Sequence, residues 1–173
     1  MDIRTDADVR ASRQSTSSSR VYAEGITAGV LGAAAVAVWF LVVDSVNGRP
    51  FFTPTVLGTA LFRGGVGLDS PQTLPISFEM VTVFTWIHVL VFAVLGGIVA
   101  RLLAVAEQAP NAGFGILLLF VVFEFGFIAV SMTVADHLLH TLGAVSVFIG
   151  NLLAAAVMVA YFRRRHPALR ILP

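Results

Sequence analysis

Residues 80–101 read MVTVFTWIHVLVFAVLGGIVAR, an apolar run whose only acidic or basic residue, histidine aside, is the final arginine. As an α-helix, this run is about 33 Å long, and the hydrocarbon core of a bilayer is about 30 Å thick. A soluble protein would have to bury every face of such a helix. The run therefore predicts a helix that crosses a membrane.

Three more runs have the same character, at residues 24–44, 113–135 and 141–162. Hydrophobic residues make up 57% of the chain and charged residues 12%, whereas about a quarter of a soluble domain is charged. The connections after the second run are short, which favours antiparallel packing of neighbouring helices. The sequence therefore predicts an all-α integral membrane protein, a four-helix transmembrane bundle formed by residues 23–162.

The segments that flank this bundle are polar, and they predict its orientation. Residues 1–22 form a polar tail that has too few apolar side chains to fold alone, and residues 163–173 form a basic tail. Only two arginines, Arg49 and Arg63, lie in the loop of residues 45–79 on the opposite side. By the positive-inside rule, both termini of this multi-pass protein are cytoplasmic.

The loop of residues 45–79 predicts one further helix. Asn47 and Gly48 mark a turn, and Thr53 followed by Pro54 is typical of a helix cap and a first helical position. The predicted helix runs from Pro54 to about Arg63. Its apolar stripe predicts a short interfacial helix in this first outer loop; the stripe consists of Val56, Leu57, Ala60 and Leu61.

Small residues recur every four positions on several predicted spans. They include Gly25 and Gly29 on the first span, Gly97 on the second and Gly150 on the fourth. Small side chains let membrane helices approach closely. We expect these glycines to lie at helix contacts, either within the chain or with another subunit.

Two polar residues are expected deep in the bilayer, where such groups are costly. Glu124 lies near the middle of the third predicted span, and Asn151 at a similar depth on the fourth. In one interpretation they hydrogen-bond and hold two helices together. In the other, Glu124 is a proton-relay carboxylate.

Histidines suggest a metal or haem site as an alternative interpretation. His88 in the second span either ligates haem or a metal, or hydrogen-bonds a neighbouring backbone. Asp136, His137 and His140 follow the third span, and their spacing of three and four residues would place ligands on one side of a helical turn. Polar residues are also ordinary in turns between helices. The first interpretation is therefore that the protein binds no cofactor, and haem or a divalent metal is the alternative.

Several short motifs resemble a group of uncharacterised small four-span proteins of the bacterial inner membrane. The first span ends in Trp-Phe-Leu and Asp44, and the chain continues Asn-Gly-Arg-Pro-Phe-Phe-Thr-Pro from residue 47 with a Leu-Gly soon after. His88 and a Gly-Gly pair before Arg101 fit the same pattern. The resemblance implies the architecture and a bacterial inner (cytoplasmic) membrane, and it implies no activity.

The function classes are limited by what the sequence lacks. It has no cysteine, no glycine-rich phosphate loop and no recognisable catalytic motif, so we expect no enzyme activity. The leading hypothesis is a non-catalytic accessory subunit of a respiratory or photosynthetic type of complex. A haem- or metal-binding redox protein and a small proton-coupled channel or carrier are the alternatives. Expected partners are membrane lipid and other membrane subunits, with no nucleic acid and no soluble small-molecule substrate.

Overall fold

The computed structural model describes residues 6–108 and 143–165, and within these ranges the chain is helical and contains no strand. The all-α prediction is confirmed for this part of the chain. A 3-10 turn at Pro71–Thr73 lies between the second and third helices. The helices are α1 (Asp6–Val46), α2 (Phe52–Phe62), α3 (Phe78–Gln108) and α4 (Ala144–Arg165).

Three of these helices are long and apolar enough to cross a membrane, which suggests a membrane protein. The apolar stretches are Ser19–Val46 in α1, Phe78–Val105 in α3 and Val145–Arg165 in α4. They contain the predicted spans at 24–44 and 80–101 and most of the span at 141–162. The span predicted at 113–135 lies outside the described residues.

The N-terminal segment differs from the prediction. Residues 1–22 were expected to form a polar tail with no fold of its own, yet α1 is helical from Asp6 onward. Helix propagation explains the difference: extending an existing helix by one residue costs far less than nucleating a new one. The apolar part of α1 therefore supports a helical extension that its polar residues would not form alone.

The closest helix contact is between α1 and α3. A Cβ atom at Gly25 would lie 2.7 Å from the Cα of Gly97, and one at Gly29 would collide with the carbonyl group of Phe92. A Cβ at Gly96 would lie 2.7 Å from the backbone nitrogen of Gly29. The two backbones can touch only because these positions lack side chains.

The fourth helix packs against α1 as well. The indole nitrogen of Trp39 donates a hydrogen bond to the carbonyl oxygen of Ser146 at 2.8 Å. A Cβ at Gly150 would lie 3.2 Å from the Trp39 ring. Further along, Ala28, Ala100 and Phe162 form a small buried cluster that joins α1, α3 and α4. The first helix is thus the element against which both other long helices pack.

The short helix α2 begins two residues earlier than predicted. Thr53 is its second residue and does not cap it; Phe51, with φ of 67°, precedes the helix in the left-handed region. The buried face consists of Thr53, Thr55, Val56, Gly58 and Thr59, whereas Leu61 of the predicted apolar stripe is 58% exposed. A Cβ at Gly58 would lie 2.6 Å from the carbonyl oxygen of Met80, so α2 is pressed against the start of α3. Its location at a membrane interface stays a prediction.

Candidate functional site

His88 lies on α3 and faces the backbone of α1. Its Nε2 atom is 3.3 Å from the carbonyl oxygen of Ala33. Since a carbonyl oxygen only accepts, Nε2 is the donor in this contact, and Nδ1 is the other ring nitrogen. The ring also lies between Phe84 and Phe92, with centroid distances of 5.7 and 4.7 Å.

This environment bears on the two interpretations of His88. The hydrogen bond to a neighbouring backbone is present and ties α3 to α1. Ligation of haem or a metal by Nε2 would require breaking that bond. The arrangement favours a packing role for this histidine.

Asp44 is 4% exposed and accepts two buried hydrogen bonds. Its two oxygens accept hydrogen bonds from the backbone N–H and the hydroxyl of Thr53, both at 2.7 Å. The first N–H groups of a helix have no partner within it, and an anion there also interacts favourably with the helix dipole. The carboxylate of α1 therefore anchors the start of α2.

From the sequence, Asp44 was named only as the residue at the end of the first span. Its partner is nine residues away, whereas local capping rules look within about three residues. What identifies Asp44 in the structure is its burial beside a turn, and this burial cannot be read from the sequence.

Arg49 connects α2 to the loop that precedes α3. Its guanidinium donates a hydrogen bond to the carbonyl oxygen of Leu74 at 2.8 Å and lies 4.1 Å from the ring centroid of Phe52. The rings of Phe51 and Phe78 are 5.9 Å apart. These contacts hold both ends of the loop against α2. We name this group, Asp44, Arg49 and Thr53, the outer corner.

The other predicted site residues fall into two sets. Asn151 is described and lies on an exposed side of α4. Its predicted partner Glu124 lies outside the described residues, and so do Asp136, His137 and His140. Among the residues that the structure describes, no three histidine, aspartate or glutamate side chains are grouped so that they could hold a metal ion.

An open groove between α1 and α3 was not predicted from the sequence. Its volume is about 470 Å³. Tyr22 and Ile26 of α1 form one side, α3 forms the other, and Arg101 is the charged residue in its lining. We refer to it as the Tyr22–Arg101 groove. No local sequence pattern indicates this groove, because it arises from the way the two helices cross.

Comparison with known proteins adds nothing to this geometry. No protein-family model, no curated protein and no solved structure matches the chain. The function is therefore argued from the residues themselves.

Proposed function

We propose that the protein is a non-catalytic accessory subunit of a larger complex in a bacterial inner membrane, with four spans and both termini in the cytoplasm. The observation that supports this proposal is the use of polar side chains between the described helices. Each of the three most informative ones serves a helix contact, and none of them lines the Tyr22–Arg101 groove.

These three contacts use different chemical groups, and each of them joins two helices. Asp44 anchors α2, the indole of Trp39 joins α1 to α4, and His88 joins α3 to α1. A polar group in a bilayer is costly unless it is paired, and a catalytic or transport residue has to present an available atom to its substrate. Groups that are occupied by helix contacts favour a structural role.

The outward faces of the long helices supply the surface that such a subunit needs. Large apolar side chains point away from the chain on every long helix: Val38 is 61% exposed on α1, Trp86 74% on α3 and Phe148 63% on α4. Membrane helices associate through shape and packing, because lipid is as apolar as leucine. Each face is suited either to lipid or to the helix of a neighbouring subunit.

The test is the composition of the native particle. The tagged chain is extracted in a mild detergent, its mass is measured, and the chains that copurify are identified by mass spectrometry. We expect a particle several times heavier than 18.4 kDa that contains other membrane proteins in fixed ratio.

A matched pair of variants identifies the face that is used. Trp86→Ala and Phe148→Ala each remove one exposed aromatic side chain from a different helix, so neither should disturb the packing of the described helices. Loss of the copurifying chains in one variant only would place the interface on that helix. A particle that contains this chain alone, in several mild detergents, would contradict the proposal.

A further inference from the structure

We propose that the Tyr22–Arg101 groove binds an anionic phospholipid, with one acyl chain along the groove and the phosphate at Arg101. This inference concerns a surface that the proposed function does not use. It holds whether or not the chain belongs to a larger complex.

Small residues on α3 help to form the groove. Ala93 and Gly97 are the small residues in its lining on α3, and Leu90, Val94 and Ile98, which recur every four residues, line it along the same helix. The nearest atom to a Cβ placed at Gly97 would be Cδ1 of Tyr22, at 3.8 Å. In contrast to the neighbouring Gly96, Gly97 has room for a Cβ in ordinary contact with the Tyr22 ring, so its missing side chain leaves a trough beside that ring.

The length of the groove fits one leaflet of a bilayer. Its lining on α3 extends from Leu90 to Leu102, which is about 18 Å along a helix at about 1.5 Å per residue. Half of the hydrocarbon core is about 15 Å thick. A single acyl chain lying along the groove would therefore reach the headgroup level near Arg101.

The charge at one end of the groove favours a phospholipid over an occupant that has no charged group. The salt bridge among the described residues joins Arg63 to Glu79, at the other end of α3, and Arg101 takes no part in it. A phosphate would neutralise the Arg101 guanidinium through charge-assisted hydrogen bonds. Tyr22 lies at the same end, as aromatic residues do at the membrane interface. A purely apolar helix in the groove would leave this arginine without an anion.

The test compares two lipids on the full chain. The purified protein is titrated in detergent with phosphatidylglycerol or phosphatidylcholine, and bound lipid is counted by native mass spectrometry. We expect one saturable phosphatidylglycerol with an affinity at least about fivefold above that of phosphatidylcholine, the factor expected for one basic residue near an anionic headgroup.

Three variants separate the parts of the proposal. Arg101→Gln should remove the fivefold preference, whereas Arg165→Gln, which removes the same charge from the end of α4, should leave it unchanged within twofold. Gly97→Leu fills the trough and should weaken both lipids alike while circular dichroism and the unfolding midpoint show a folded protein.

The proposal fails on any of three results. Equal affinity for the two lipids in the parent protein would remove the role of Arg101. Equal losses in Arg101→Gln and Arg165→Gln would show general attraction to a basic surface. The absence of a saturable lipid would show that the groove is not a lipid site.

Discussion

The indole of Trp39 extends from α1 to the first turn of α4, where it donates its N–H to the carbonyl oxygen of Ser146. A backbone carbonyl has a second lone pair, so this bond does not compete with the helical one. The chain contains two tryptophans, and the other, Trp86, is 74% exposed. The two tryptophans therefore allow a hydrogen-bonded indole to be compared with an exposed indole in the same protein.

We predict that Trp39→Phe lowers the free energy of unfolding by about 0.5–1.5 kcal/mol, since it removes one hydrogen bond and keeps an aromatic ring. Trp86→Phe should change it by less than about 0.5 kcal/mol, as is usual for exposed positions. Unfolding in mixed micelles with increasing dodecyl sulfate measures both. Equal effects of the two substitutions would show that the Ser146 contact contributes nothing.

The outer corner makes a second prediction for single residues. Asp44→Ala removes both acceptors of Thr53 and leaves a helix N–H without its partner, so it should cost about 1–3 kcal/mol. Thr53→Val removes the hydroxyl contact alone and should cost about 1 kcal/mol. Hydrogen exchange at the Thr53 amide should accelerate in Asp44→Ala and stay near the parent rate in Thr53→Val. A loss for Asp44→Ala no larger than that for Thr53→Val would contradict the anchoring role.

At the level of elements, the crossing of α1 and α3 depends on which glycine faces the partner helix. The adjacent glycines at 96 and 97 show the distinction, since a Cβ at Gly96 would strike the Gly29 backbone and one at Gly97 would meet only Tyr22 at 3.8 Å. The sequence pattern named Gly97 as a packing residue. Gly97 does contribute its Cα to the contact with Gly25, while its own side-chain position faces the groove.

Gly96→Ala should therefore force the two helices apart and lower the free energy of unfolding by about 1–3 kcal/mol, the usual cost of overpacking. Gly97→Ala should change it by less than about 0.5 kcal/mol. The same micelle titration measures the pair, and both proteins carry an identical chemical change. Similar stability of the two variants would refute the close crossing at Gly96.

The helices were largely predictable from the sequence, and their ends and partners were not. The runs at 24–44 and 80–101 were predictable as helices, because a helix lets an apolar run of that length satisfy its backbone hydrogen bonds within a bilayer. In the structure each run lies within a longer helix. The start of α2 was misplaced, since Asp44 satisfies Thr53 from another helix. His88 was left with two interpretations because its acceptor, Ala33, is 55 residues away. Contacts between helices depend on their crossing, which no local pattern encodes.

For the whole molecule, the orientation in the membrane is open to a direct test. The chain contains no cysteine, so a single introduced cysteine gives a clean label. Val66→Cys lies in the loop between α2 and α3, where Val66 is 75% exposed. Ser19→Cys lies at the opposite end of the apolar part of α1. We predict that an impermeant maleimide labels intact cells through Val66→Cys and labels Ser19→Cys only after permeabilisation. The reverse pattern would contradict cytoplasmic termini.

The packing of both α3 and α4 against α1 also has a consequence for biosynthesis. The helix α1 precedes α4 in the chain, and the acceptor of its Trp39 indole, Ser146, lies 107 residues further along. Until α4 has been inserted, the indole of Trp39 lacks this acceptor. The face of α1 around Gly32 likewise lacks its contact with Met158 of α4. During synthesis, α1 therefore exists for a time without the acceptor of its indole N–H, and this contact can form only once α4 has been made.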